Sequence, residues 1–263
     1  MSYQYQNRLI NYQFDDLFPK GVVHGVFSRK GGVSPKPWDS LNLGGTVGDL
    51  RENVIENRKR IFSSVRLAVE TIFDVWQVHS ADVIRTDSPR PLDQPHQKAD
   101  AIITNRPGVT LFMRFADCVP VLFYDPEKHV IGIAHAGWKG TVNKIAVETV
   151  TAMKSTYGCQ SKNIRVGIGP SIGVDHYEIG PDVIAAVRAS FGNASKLVLT
   201  EKNGSVYFDL WEANRISLEQ AGVESIHIAG ICTACDPDNW FSHRVENGKT
   251  GRFGALIALR ERD

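Results

Sequence analysis

A chain of 263 residues with 42% hydrophobic side chains can bury a sizeable core, and no Pro/Gly/Ser-rich linker or repeat divides it, so a single domain over 1-263 is expected. Thirty basic residues against 29 acidic ones leave a formal charge of +1, with no Lys/Arg run, which argues against nucleic acid or an anionic membrane as partner and for a small molecule. The polar N-terminus is unlike a secretory signal, no segment approaches the roughly 20 apolar residues of a membrane span, and Cys118, Cys159, Cys232 and Cys235 are unevenly placed; a cytoplasmic monomer with reduced thiols is expected.

In chain order, strand-like runs cover 21–28 (GVVHGVFS), 119–125 (VPVLFYD) and 130–136 (VIGIAHA). Helical spacing then links Val142, Ile145, Thr149, Met153 and Tyr157, with Gly158 placed to end the helix. A strand over 163–169 precedes a helix over 181–191 and another over 209–222, the latter opened by Asp209 as N-cap. Strands over 225–231 and 252–259 complete the pattern. Strands and helices interleave, but hairpin-like neighbours favour an α+β fold with mixed sheets over a purely parallel wound sheet.

Between the runs at 119–125 and 130–136 lies Asp125-Pro126-Glu127-Lys128-His129, which carries the residue preferences of a type I turn. If Asp125 pairs with Lys128, Cys118 falls directly opposite His135. Opposed residues project to one face with Cβ atoms about 4.5–5.5 Å apart, near enough for a thiolate and an imidazole to share a cation. The same pair could act as a thiol nucleophile with its base, or merely pack. His79, in DVWQVHSADV, reads by itself as a surface or capping histidine. Asp117 adjoins Cys118, but strand alternation turns it to the opposite face.

Two segments could hold an anion. After His135, Ala-Gly-Trp-Lys-Gly-Thr leads into a helix, offering backbone N–H groups around Gly140 and Thr141 and the charge of Lys139; a glycine-rich turn with a solvated lysine is the competing account. Ser28-Arg29-Lys30-Gly31-Gly32 offers Arg29 for bidentate phosphate binding, and Asn42 beyond it suits sugar hydroxyls or a base edge, against a simple exposed turn. GIGPSIG (167–173) is not the dinucleotide fingerprint, because its glycines fall as G-x-G-x-x-x-G and Pro170 removes a donor.

The strings WQVHSADV, ADCVPVLFYDP, IGIAHAGWKGT and GIGPSIG, with the earlier FSRKGGVSPKPWDSLNLGGTVGD and NRKR, resemble the YfiH-type family. That family was once called laccase-domain or polyphenol oxidase proteins and later described as purine nucleoside phosphorylases. The likeness spans nearly the whole chain and implies a layered α/β/β/α sandwich with mixed sheets. It also implies a catalytic zinc held by His79, Cys118 and His135, three ligands that leave a fourth tetrahedral position open.

The implied reaction is phosphorolysis of adenosine, inosine, guanosine or methylthioadenosine to base and sugar 1-phosphate, with adenosine deamination as a further activity. On that reading Cys118, Arg29, Asn42 and Lys139 serve catalysis, while Arg29, Lys139, Gly140 and Thr141 receive phosphate. Asp175-His176-Tyr177-Glu178 departs from the Cys-containing version in many relatives, which argues against a special role for His176.

Rival readings remain. His176 and Glu178 with Cys232 and Cys235 imitate the ligand set of zinc nucleobase deaminases, but the Cys pair lacks its preceding proline and lies far downstream, so Cys232 reads as packed at a strand end. None of the eight histidines forms the H-x-H pairs of a multicopper laccase, although copper could occupy the His79, Cys118, His135 trio. A Cys–His thiol hydrolase or deamidase and a non-enzymatic, zinc-organised binding protein are further alternatives.

Overall fold

The computed structural model describes residues 2–6, 9–91 and 93–260. Strands β1 (Ser2–Gln6), β2 (Leu9–Gln13) and β3 (Val22–Phe27) lead to helix α1 (Arg51–Ser64). Strands β4 (Ile72–Phe73), β5 (Val83–Arg85), β6 (Ala101–Thr104), β7 (Thr110–Phe115), β8 (Val119–Asp125) and β9 (Val130–Ala136) follow, then helices α2 (Trp138–Val142) and α3 (Ile145–Tyr157). The remainder runs β10 (Arg165–Ile168), β11 (Glu178–Ile179), α4 (Pro181–Phe191), α5 (Ser195–Val198), β12 (Leu199–Lys202), β13 (Ser205–Phe208), α6 (Leu210–Gln220), β14 (Ser225–Ile228) and β15 (Phe253–Leu259).

One six-stranded sheet has the order β1-β2-β3-β15-β7-β4, a second has the order β14-β10-β8-β9-β6-β5, and β11-β13-β12 form a small third sheet. Both large sheets are mixed, with parallel pairs β4/β7, β5/β6 and β10/β14. Alternation along β15 shows how they stack. Phe253, Ala255, Ile257 and Leu259 pack against Leu122, Tyr124, Ile131 and Ile133 of the second sheet, whereas Leu256 and Ala258 turn outward to Ile61 and Phe62 of α1. On its far face the second sheet lays Val121, Phe123 and Ala134 under Val150 and Met153 of α3 and Val187 of α4. The layers are α/β/β/α, as expected. No helix among the described residues is long and apolar enough to cross a membrane.

Local chemistry sets the helix ends. Asp209 accepts from the Glu212 N–H at 3.0 Å and opens α6, and Pro181 occupies the first turn of α4. Gly158 closes α3 at φ 69°, donating to the Lys154 carbonyl at 3.0 Å. Helix α1 has no sequence counterpart above, because its inward stripe of Val54, Asn57, Ile61 and Phe62 is broken by a polar residue. Asn57 is fully buried and clamps the 33–42 loop through Val33 N, Ser34 Oγ and the carbonyls of Ser40 and Asn42.

The β8/β9 hairpin has a longer loop than the sequence suggests. Asp125 pairs with Val130 and not Lys128, so the residue opposite His135 is Pro120. The cause is Asp125 Oδ1, which accepts the N–H groups of both Glu127 and Lys128 at 2.9 Å, while His129 turns through φ 53°. The register moves by two residues. Because side chains alternate with period two, Cys118 keeps the face of His135 as its diagonal neighbour, whereas a slip of one would have separated them.

Candidate metal centre

His79, Cys118 and His135 converge, with their ligand atoms all within 4.8 Å of one another and Cys118 Sγ 4.0 Å from His79 Nε2. Donors around tetrahedral zinc stand roughly 3.3–3.6 Å apart for Zn–N of ~2.05 Å and Zn–S of ~2.3 Å, so separations shortened by no more than about 1.5 Å would close the set on one ion. His79 is exposed, Cys118 half-buried and His135 only 4% exposed, so the group is accessible from the His79 side. Gly137, at the end of β9, makes the convergence possible. A Cβ there would lie 2.8 Å from Cys118 Sγ and 3.1 Å from His79 Cδ2.

Asp100, absent from the sequence reading, organises the two histidines. Its carboxylate is fully buried, takes His135 Nδ1 at 2.8 Å on Oδ1, and takes Val78 N, Ser80 N and Ser80 Oγ at 3.1, 2.6 and 3.0 Å on Oδ2. With Nδ1 engaged, His135 has Nε2 free for a metal, the arrangement by which a carboxylate fixes a ligating imidazole. The residues flanking His79 are pinned by the same carboxylate, which holds His79 at φ 61°. Cys118 is aimed by its neighbour Asp117, at φ 77°, whose carboxylate accepts Thr233 Oγ1 and Arg244 N at 2.7 Å each. Asp117 thus ties the 231–246 segment to the cysteine.

The electrostatics suit a thiolate ligand. Burial by itself would raise the Cys118 thiol, but His135 beside it, with hydrogen bonds from both imidazoles, carries it down. The reverse holds for His135, where burial is outweighed by Cys118 and Asp100 and the imidazole is pushed up. For Asp100 too, burial is outweighed, by the His135 and backbone hydrogen bonds, and the carboxyl stays below its ordinary range.

The trio opens on a cavity of about 1190 Å³. Arg58, Arg90 and Arg114 also line it. All three share the buried Asp74 carboxylate, at 3.6, 2.8 and 2.9 Å, and His96 Nε2 stands 3.1 Å from it. One carboxylate against three guanidiniums leaves excess positive charge. Burial and then Arg114 lower Arg58 to about 10, so it remains cationic at neutral pH, and its buried Nε has no hydrogen-bond partner. Trp76, 49% exposed, and Tyr177 add aromatic surface to the same cavity.

The other expected residues fall elsewhere, with one exception. Lys139 lines the cavity and is exposed. Arg29 is not among the lining residues. Its Nε donates to the Asp39 carbonyl at 2.8 Å, its NH1 to Pro237 O and to Glu246 at 2.8 and 3.0 Å, and its guanidinium covers the Phe241 ring, so it pins the 237–246 segment instead of presenting a free fork. Asn42 is fully buried and saturated by Gly44, Asp49 and Arg252. Gly140 and Thr141 lie a turn inside α2, away from the lining, with Thr141 Oγ1 accepting from Asn214. Sequence reasoning gave no role to Arg58, although NRKR contains it, nor to Arg90 and Arg114, because the three come from different segments and only the fold gathers them on Asp74.

The family described as multi-copper polyphenol oxidoreductase laccase matches residues 23–260. A Deinococcus radiodurans protein named purine nucleoside phosphorylase is 39% identical over 242 residues, covering 92% of this chain and 91% of that one. Purine nucleoside phosphorylase YfiH of Escherichia coli is 36% identical over 92% of this chain and 95% of its own length. The crystal structure of YlmD from Geobacillus stearothermophilus superposes with a TM-score of 0.92 at 34% identity, covering 98% of this chain and 99% of that one. By sequence and by architecture, this chain belongs to the laccase-domain family that includes YfiH and YlmD.

Proposed function

We propose that this protein is a cytoplasmic, monomeric purine nucleoside phosphorylase with a mononuclear zinc centre at His79, Cys118 and His135, and that the same centre deaminates adenosine. The observation that carries the reading is the sharing of one cavity by a three-donor metal group and a guanidinium cluster with excess positive charge. The names of the relatives support the same reaction. When bound, zinc would supply Lewis acidity and, for deamination, would lower the pKa of a water towards ~7.

In phosphorolysis the C1′–N9 bond breaks, C1′ bonds to a phosphate oxygen, and the departing purine takes a proton. The chain's own groups bind both substrates, and the purine's proton comes from the attacking hydrogen phosphate. Arg58, whose Nε is unpartnered, takes phosphate by a charge-assisted hydrogen bond in the positive field of Arg90 and Arg114, whose own donors are engaged by Asp74, Gln77 and nearby carbonyls, with Lys139 as a mobile cation at the rim. Trp76 and Tyr177 offer flat faces to a purine. Asp74 and His79 are five residues apart, so the cationic and metal ends lie within roughly 17 Å, at ~3.4 Å per residue. Adenosine, inosine, guanosine and methylthioadenosine all carry the required bond.

Copper at the same trio is the second reading, favoured by the family's description. A multicopper cluster is a poor fit, since the described residues supply just two His/Cys groups of three. The deciding experiment incubates the metal-quantified protein with adenosine, with and without phosphate. Adenine and ribose 1-phosphate are expected only with phosphate, and inosine in both arms. Absence of turnover in protein carrying stoichiometric zinc, or undiminished turnover in His79→Ala, would overturn the proposal.

A further inference from the structure

The fold assembles a second soft-donor group from His176, Cys232 and Cys235, the residues whose separation in sequence argued against a shared site. His176 follows β10 and precedes β11, whereas Cys232 and Cys235 follow β14, yet His176 Nδ1 stands 3.8 Å from Cys232 Sγ and 3.6 Å from Cys235 Sγ. All three ligand atoms lie within 4.8 Å of one another. The neighbouring backbone is well fixed. Ser171 and Cys232 form a parallel bridge, with Ser171 N to Ile231 O at 3.1 Å and Thr233 N to Ser171 O at 3.0 Å. Gly173 N donates to Cys232 Sγ at 3.2 Å, which fixes the position of the sulfur. Both cysteines are free, and His176 and Cys235 are exposed, so an ion has access from solvent.

We propose that His176, Cys232 and Cys235 form a second metal site, separate from the centre at His79, that takes zinc. Two thiolates and an imidazole are a donor set suited to zinc, with the fourth position left to water. Binding releases two thiol protons and changes no oxidation state. The consequence is structural. Thr233, next to Cys232, donates to Asp117 at 2.7 Å, and Arg244 joins Asp117 Oδ2 through its N–H to the His176 carbonyl through NH1, at 2.7 and 3.2 Å. An ion here would therefore clasp the loops that hold Asp117, and through it Cys118, in place.

The test uses full-length protein under reducing conditions, stripped of metal and equilibrated with zinc or cobalt(II). Wild type should retain two zinc ions per chain, Cys118→Ser one and Cys118→Ser/Cys235→Ser none. Cobalt bound to Cys118→Ser should show a thiolate charge-transfer band that disappears in the double variant, and zinc should raise the melting temperature of Cys118→Ser but not of the double variant. The readouts in the Cys118→Ser background do not depend on the first centre or on turnover. His176→Gln in the Cys118→Ser background repeats the test if the double variant misfolds. A single zinc in wild type with none in Cys118→Ser, or a Cys232–Cys235 disulfide that resists the reductant and excludes zinc, would overturn the assignment.

Discussion

Asp100→Asn is a near-isosteric change that should act on the metal and not on the fold. Three donors, Val78 N, Ser80 N and Ser80 Oγ, face Oδ2, against one, His135 Nδ1, facing Oδ1. The asparagine oxygen will turn to the three, leaving its NH₂ opposite His135. Two donors cannot face each other, so His135 must move its proton to Nε2, the nitrogen needed for the metal. Zinc affinity should fall about 10- to 100-fold, or ~1.4–2.7 kcal/mol, as when the partner of a ligating histidine is lost. Stability should change by no more than about 1.5 kcal/mol, because the hydrogen bonds are reorganised and not removed. Asp100→Ala, which strands all four donors, should cost roughly 3–5 kcal/mol. Chelator competition gives the affinity and urea midpoints the stability. Wild-type zinc affinity in Asp100→Asn would refute the tautomer argument.

Arg58→Ala removes a cation whose Nε has no partner in the fold, so the KM for phosphate should rise roughly 30- to 150-fold, from ~2–3 kcal/mol of charge-assisted bonding, while adenosine deamination without phosphate is unaffected. Steady-state kinetics in both substrates checks this, and an unchanged phosphate KM counts against the anion site. Gly137→Ala should lower zinc occupancy without unfolding the chain, since its methyl would sit 2.8 Å from Cys118 Sγ; metal content and circular dichroism decide. His24 is buried, accepts from Phe14 N at 2.8 Å, and is lowered to about 4 by that burial, so its neutral form belongs to the fold. Its contribution should be complete above pH ~6.5 and be lost on acidification from ~6.5 to about 4, on the order of 3 kcal/mol, read as falling urea midpoints.

Strands and helices announce themselves where one physical cause dominates. β8 and β9 are covered on both faces, so their runs are continuously apolar and their bounds are plain in the sequence. The helices at 181–191 and 210–220 carry their own start signals, Pro181 in the first turn of one and Asp209 as N-cap of the other. α1 and β7 were not legible, for reasons specific to each. The inward face of α1 carries Asn57 as a clamp, and β7 includes Arg114, whose charge is held by Asp74, Gln77 and the Val75 carbonyl of a distant loop. Non-local partners of this kind leave no local pattern. The β8/β9 register shows the converse, where a wrong loop length still placed two ligands on one face because the error was even.

The site is legible as a long string, and the contacts explain its length. In WQVHSAD, Gln77 donates to the Arg114 carbonyl and accepts from the Arg114 N–H at 2.8 and 3.1 Å, which splices the loop to β7. Val78 and Ser80 supply donors to Asp100, and the Asp82 carbonyl receives the N–H groups of Asp100 and Ala101 at 3.1 Å each. His79 is thus held from both sides by residues whose partners lie on other strands, and a histidine that reads as superficial alone becomes a fixed donor. The carboxylate that does most of this work, in QKAD just before β6, looks in sequence like a turn residue at a strand entrance. Its role depends on Val78, Ser80 and His135 arriving from three directions, and only the fold brings them to it.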